Sequence, residues 1–200
     1  MEVWVLILCA VIAYVLGSVS FSYIFTKKVR HEDIREKGSG NAGTTNVLRN
    51  YGWGLGIAVF AGDVLKAVAA ALIGGAIAGY EGLCVAGVFA IVGHNYSCFL
   101  KFKGGKGIAS TIGVLLLIQP IPTLVIFTIS IIIVACTKIM SIGSIIGLIL
   151  SAIAAIVFAQ GNWFQILSVL IIAVLGVFSH RENIKRLIHG TEHKLSLSKK

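Results

Sequence analysis

An all-α integral membrane protein, a bundle of seven transmembrane helices with the N-terminus outside and the C-terminus cytoplasmic, is the architecture this chain implies. A chain of 200 residues that is 57% hydrophobic and 12% charged, with a mean hydropathy of +0.94, carries more apolar surface than a soluble core of that size can enclose. Its apolar residues come in uncharged runs close to the roughly 20 residues a helix needs to cross a bilayer core about 30 Å thick. Sixteen of its seventeen Lys and Arg residues fall in stretches that can all lie on one side of a membrane.

The first run, residues 3–25, is uncharged and lacks the basic leader and small-residue cleavage pattern of a signal peptide, so it reads as a span. Further spans are expected at 55–79, 83–100, 104–119, 121–137, 142–159 and 162–179. The fourth is short, because its uncharged part begins only at Ile108. At about 1.5 Å per residue it crosses only if the helix starts near Gly104 and Lys106 snorkels to the surface. Lys101, Lys103 and Lys106 before this pair of spans and Lys138 after it share a side if the chain crosses out and back, turning at residues 119–122. A re-entrant hairpin satisfies the same parity. Lys27, Lys28, Arg30, Arg35, Lys37, Arg49, the 101–106 cluster, Lys138 and the tail from Arg181 then lie together, and the positive-inside rule makes that side cytoplasmic. No shift in composition marks a second domain, so residues 1–200 read as one membrane-embedded domain.

Cys9, Cys84, Cys98 and Cys136 are scattered through the spans without metal-ligand spacing and read as small apolar residues, so no metal site is expected. His189 and His193 read as part of a solvated tail, and residues 27–37 as a short interfacial helix. Gly143 and Gly147 read as a close helix contact.

Lipid does not explain the stretch Gly38-Ser39-Gly40-Asn41-Ala42-Gly43-Thr44-Thr45-Asn46-Val47-Leu48-Arg49. Its G-x-G-x-x-G order follows a charged surface segment where a dinucleotide fold needs a strand, which removes the nucleotide reading. The physics behind such glycines remains: backbone N–H groups without Cβ neighbours converge on an anion. Ser39, Asn41, Thr44, Thr45 and Asn46 add side-chain donors, and Arg49 a guanidinium that grips phosphate oxygens in pairs. Residues 101–107 carry three lysines and three glycines without P-loop order, and read either as a membrane anchor or as a second phosphate loop facing the first.

Asp63 and Lys66, at i and i+3 inside the second span, are spaced to pair. They serve either a function or a neutralised structural contact. His94 and Asn95, placed about a turn and a half from the cytoplasmic end of the third span, either meet substrate or bond a neighbouring helix. His180 and Asn183, one turn apart after the last span, are not accounted for by anchoring.

Together these residues resemble the bacterial acyl-phosphate:glycerol-3-phosphate acyltransferase family, the PlsY family. Gly38, Ser39, Gly40, Asn41, Gly43, Thr45, Asn46 and Arg49 match its first motif. Gly62, Asp63 and Lys66 match the second, with Ala67 where glycine is usual. Gly93, His94, Phe99, Phe102, Lys103, Gly104, Gly105, Lys106 and Gly107 match the third, with Ser97 in place of proline. Residues 180–186 look like the family's ending.

The resemblance implies transfer of a fatty acyl group from acyl phosphate to the 1-hydroxyl of sn-glycerol 3-phosphate, giving lysophosphatidic acid and phosphate for phospholipid biosynthesis at the bacterial inner membrane. It implies no metal, nucleotide or coenzyme, no nucleic acid, contact with membrane lipids, and functional coupling to the enzyme that makes acyl phosphate. On this resemblance Gly38, Gly40, Asn41, Gly43, Thr45 and Asn46 receive acyl phosphate. Ser39, Arg49, Lys106, His180 and Asn183 hold glycerol 3-phosphate, while Asp63, Lys66, Lys103, Gly104 and Gly105 give support. His94 is the candidate base, with proton transfer to a substrate phosphate preferred and Glu182 a further helper. A transporter for a small organic phosphate is the competing class. No inverted repeat is visible, and the polar motifs gather at one face instead of the midplane.

Overall fold

The computed structural model describes residues 2 to 195. Among them the chain is helical throughout, without strands: α1 (Val3–Ser18), α2 (Phe21–Arg30), α3 (Thr44–Tyr51), α4 (Trp53–Asn95), α5 (Ile108–Ile118), α6 (Pro120–Thr137), α7 (Met140–Phe158), α8 (Trp163–Ser179) and α9 (Arg181–Ile188). By length and composition, four helical stretches suit a membrane crossing: Val3–Arg30, Trp53–Leu100, Pro120–Thr137 and Met140–Phe158. The pair α8 and α9, bent by 56°, makes up to five. Large apolar side chains stand exposed along these helices, among them Ile121, Ile153 and Val174, as lipid contact requires. The chain divides into two compact units, Met1–Leu117 and Ile118–Lys200.

In the first unit, the expected opening span is two helices. Val19 is extended, and Ser20 caps α2 by accepting a hydrogen bond from Tyr23 N. The long α4 is also interrupted. Ala78 and Gly79 leave helical geometry, Gly79 with φ +57°, where a side chain would be strained. Two residues 28 apart in an unbroken helix would be about 42 Å apart, yet Lys66 Nζ lies 3.0 Å from His94 Nδ1. The helix therefore doubles back as a hairpin at the boundary expected between the second and third spans. α1 lies along it. A Cβ on Gly93 would collide with Tyr14 O, Tyr14 Oη donates to Tyr96 O at 2.8 Å, and Ser97 Oγ donates to Ser18 O at 2.6 Å.

Two boundaries differ from expectation. The third span was expected to run to Leu100, but its helix ends at Asn95, so His94 and Asn95 stand in its last turn. The fourth was expected from Gly104, but α5 begins at Ile108 and has 11 residues. The reason lies in where the loop's N–H groups find acceptors. Gly104 N and Gly105 N donate to Asn95 O and His94 O, at 3.1 and 3.0 Å, and so satisfy carbonyls that the end of α4 leaves without helical partners. An extended strip paired in this way cannot also form the first turn of α5.

In the second unit, Pro120 opens α6, where its missing N–H costs nothing. α6 and α7 pack closely at the expected glycines: a Cβ on Gly143 would lie 2.8 Å from Ser130 O, and one on Gly147 2.7 Å from Ser130 Oγ. The four cysteines are free thiols, Cys9 and Cys84 buried, Cys98 and Cys136 exposed.

Candidate functional site

The first loop is built around Asn46. This buried amide donates from Nδ2 to Ile34 O, Lys37 O and Asn41 O at 3.2, 2.9 and 3.0 Å. Its Oδ1 accepts from Ser39 N and from Asn50 Nδ2, each at 3.0 Å. The loop wraps so tightly here that a Cβ on Gly38, at φ +55°, would overlap Asn46 Oδ1. The amide of Asn46 is thus engaged by the chain itself, beneath the loop.

Beyond this hub the chain enters α3 through Gly43. The first-turn N–H groups of Thr44 and Thr45 have no intrahelical acceptor, and Thr44 Oγ1 is buried without a hydrogen-bond partner. Asn41, Gly43, Thr45 and Arg49 are half-buried, while Gly38, Ser39 and Gly40 are exposed.

The second loop meets the first. Ala42 N donates to Gly104 O at 3.4 Å, and a Cβ on Gly43 would touch Gly105 Cα at 4.0 Å. The two glycine stretches, some sixty residues apart in sequence, form one surface. Lys106 is half-buried beside this contact and Lys103 exposed.

Beneath the second loop lies a buried charged group. Lys66 Nζ donates to Val19 O at 2.5 Å, lies 2.8 Å from Asp63 Oδ1 and contacts His94 Nδ1 at 3.0 Å. Asp63 and Lys66 form the i, i+3 pair that their spacing predicts. Ser110 Oγ of α5 donates to Asp63 O at 3.1 Å. The other edge of the His94 ring presses on the loop, since a Cβ on Gly105 would overlap His94 Nε2 and lie 3.0 Å from Ala42 O.

Sequence reasoning missed Arg35. Its Nε and Nη2 donate to Asp33 at 3.0 and 2.6 Å, Nη1 donates to Leu100 O at 3.3 Å, and its guanidinium covers the Tyr23 ring at 5.3 Å. It ties the run-up to the first loop to the run-up to the second. The hydrogen bonds from Arg35 hold the Asp33 carboxyl below its ordinary value. Nearby, burial and the hydrogen bond from Tyr51 Oη to Glu32 push the Tyr51 phenol up to about 12. The segment read as an interfacial helix is instead the end of α2 followed by a single tight turn, Ile34–Glu36. Its alternating charges are the one signal from which such bracing was legible.

In the second unit, His180 is buried, with Nδ1 2.7 Å from Gly176 O. A carbonyl only accepts, so Nδ1 carries a proton. Asn183 Nδ2 donates to Glu192 Oε1 at 2.6 Å. Glu192 was read only as part of a solvated tail. Its carboxylate is buried and also receives Ser141 Oγ at 3.0 Å and Arg186 Nε at 2.7 Å. His189 is exposed, its Nδ1 2.7 Å from Lys185 O. Among the described residues no group of three or more His, Cys, Asp or Glu side chains is placed to hold a metal ion.

Fold and site define a multi-pass helical membrane protein with a donor-rich, glycine-shaped surface underlain by buried charge. The chain belongs to the glycerol-3-phosphate acyltransferase family, whose family model matches residues 7–190. It is 47% identical over 189 residues to the glycerol-3-phosphate acyltransferase of Thermoanaerobacter sp. (strain X514), covering 94% of this chain and 95% of that one. It is 42% identical over 205 residues to the enzyme of the same name from Clostridioides difficile (strain 630), covering both completely. Two crystal structures of PlsY, described as an integral membrane glycerol 3-phosphate acyltransferase, share the fold. The glycerol 3-phosphate form superposes with a TM-score of 0.87 at 34% identity over 96% of each chain. The lysophosphatidic acid form superposes with a TM-score of 0.84 at 33% identity, over 96% of this chain and 95% of that one.

Proposed function

We propose that this protein transfers a fatty acyl group from acyl phosphate to the 1-hydroxyl of sn-glycerol 3-phosphate at the cytoplasmic face of the bacterial inner membrane, yielding lysophosphatidic acid for phospholipid synthesis. The observation that carries this reading is the meeting of the two glycine loops, Ala42 N on Gly104 O, which gathers phosphate-binding chemistry onto one surface. The family model spans both compact units, which supports one acyltransferase domain over residues 1–200. Counting both arms of α4 and the short α5 gives the seven crossings of this reading.

Acyl phosphate is assigned to the loop Gly38 to Gly43 and the start of α3. Its phosphoryl oxygens meet the backbone around Gly40 and Gly43, Asn41 and Thr45, with Asn46 holding the shape. Glycerol 3-phosphate is assigned to Ser39, Arg49 and Lys106. The same substrate is assigned to His180 and Asn183. Asp63, Lys66, Lys103, Gly104 and Gly105 support the second loop.

The 1-hydroxyl oxygen attacks the acyl carbonyl carbon, an ester C–O bond forms, the anhydride C–O bond breaks, and phosphate leaves. The hydroxyl proton passes to a phosphate oxygen of the substrates. This route is preferred over His94 as base because the surroundings are rich in donors and the Nδ1 of His94 is already met by Lys66. Because acyl phosphate already carries a good leaving group, rate enhancement rests on holding two anions together and on donors aimed at developing charge.

Protein purified in detergent is expected to release inorganic phosphate in step with lysophosphatidic acid when given both substrates. Activity that requires a sealed vesicle would indicate a transporter and overturn the reading. Arg49→Ala is expected to raise KM for glycerol 3-phosphate roughly tenfold or more, the loss of one or two charge-assisted hydrogen bonds. An unchanged KM in folded protein rejects that assignment.

A further inference from the structure

We infer that Lys66 is a positioning residue that fixes His94 as a neutral imidazole protonated at Nε2, so that His94 serves as a wedge and donor under the second loop. An ammonium has three N–H donors and no acceptor. Lys66 Nζ faces three groups: Val19 O at 2.5 Å, Asp63 Oδ1 at 2.8 Å and His94 Nδ1 at 3.0 Å. Val19 O accepts a hydrogen bond and Asp63 Oδ1 is an ion contact; the ammonium has no lone pair, so its hydrogen bond to the ring is a donation to Nδ1, which must offer its own lone pair. The ring proton therefore sits on Nε2, the edge that presses on Gly105 beside Ala42 O. A protonated imidazolium would turn an N–H towards the ammonium.

The consequence reaches both loops. His94 also grips the second loop through its backbone, accepting Gly105 N at 3.0 Å. Side chain and backbone of one residue thus set the height of Gly105, and the neighbouring Gly104 O receives Ala42 N of the first loop. Asp63 neutralises the buried ammonium, with Ser110 Oγ on its backbone carbonyl. The alternative tautomer is close by, since Nδ1 lies 3.5 Å from Asp63 Oδ1. Without a donor at position 66 the ring proton moves to Nδ1 to face that carboxylate, and Nε2 becomes an acceptor. The charged side chains facing His94, Asp63 and Lys66, both belong to α4. The Val19 carbonyl, just beyond the end of α1, meets Lys66.

The kinetic meaning rests on the acyl transfer proposed above, but the test does not. Protein labelled with 15N-histidine in lipid nanodiscs, with His94 assigned by its disappearance in His94→Asn, is expected to show a neutral ring protonated at Nε2 at neutral pH. Protonation at Nδ1, or an imidazolium, in the unaltered protein overturns the inference without any variant. Two charge-neutral pairs extend the test. In Asp63→Leu/Lys66→Gln a side-chain amide still donates to Nδ1, and the Nε2–H form is expected to persist. In Asp63→Leu/Lys66→Met neither position donates, and the signal is expected to change tautomer or average between forms. Turnover is expected to fall about 10 to 100-fold further in the Met pair than in the Gln pair, the scale of a misplaced loop, with a smaller change in KM. Identical spectra in the two pairs would overturn the role of Lys66. A correct spectrum with no acyl transfer would instead remove the proposed function and leave the tautomer standing.

Discussion

Asn46→Ala would leave three backbone carbonyls, of Ile34, Lys37 and Asn41, without the donor that now joins them, and Ser39 N without its acceptor. Ile34 O and Lys37 O keep Lys37 N and Gly40 N as donors, so the loss falls on Asn41 O and Ser39 N, and polar groups stranded in this way cost about 1–3 kcal/mol each when water cannot replace the partner. The first loop lies partly open to solvent, so the expected loss of stability is about 1–3 kcal/mol in total. Thermal unfolding in detergent checks it, and catalysis is expected to fall more than the lost stability explains, because the loop's shape is lost with the amide. The residue types of this loop were readable from sequence, as was the Asp63 and Lys66 pair, whose spacing dictates contact on any helix. The direction of each donor was not. An asparagine amide has the same letter whether it points at an anion or at its own chain, and only the wrapping of residues 34–41 around Asn46 decides between them. Arg35 was obscure for a similar reason, since its third partner, Leu100 O, belongs to a distant segment.

Elements were legible where composition alone decides. Long apolar runs became helices, and the hairpin break at Ala78–Gly79 falls at the expected connection. The short α5 was misjudged because the alternative partners of Gly104 and Gly105, carbonyls at the end of α4, are a tertiary matter. The tail after α9 was read as solvated from His189 and His193, and Glu192 between them has no spacing signal that marks it as buried. Glu192 instead gathers Ser141 of α7, Asn183 and Arg186 of α9, while Leu195 N donates to Lys138 O at 2.7 Å. Burial alone would raise the Glu192 carboxyl. The hydrogen bonds from Asn183, Arg186 and Ser141, with the charge of Arg186, outweigh it and hold the carboxyl below the ordinary 4.5. A carboxyl lowered in the folded state stabilises the fold above its unfolded value, and this contribution is lost as pH falls from about 4.5 through the folded value. Proteolysis of the tail is therefore expected to accelerate as pH drops below 4.5. In Glu192→Gln the tail is expected to be cleaved faster at neutral pH and to lose that acid-dependent step. An acid profile unchanged by the substitution would show that another group controls the tail.

At the scale of the whole molecule, the distribution of charge makes the boldest statement, because every Lys and Arg except Lys66 is assigned to one side. In a cysteine-free background, Gly161→Cys in intact cells is expected to react with a membrane-impermeant maleimide, and Lys37→Cys only after permeabilisation. Labelling of both positions from the same side would break the proposed count of seven crossings. The pairing of Gly104 and Gly105 with the last carbonyls of α4 has a consequence for affinity. A segment clamped to a rigid rod has already surrendered most of its conformational freedom during folding. When an anion arrives, little further entropy has to be given up, so contacts made there translate into binding with only a small ordering penalty.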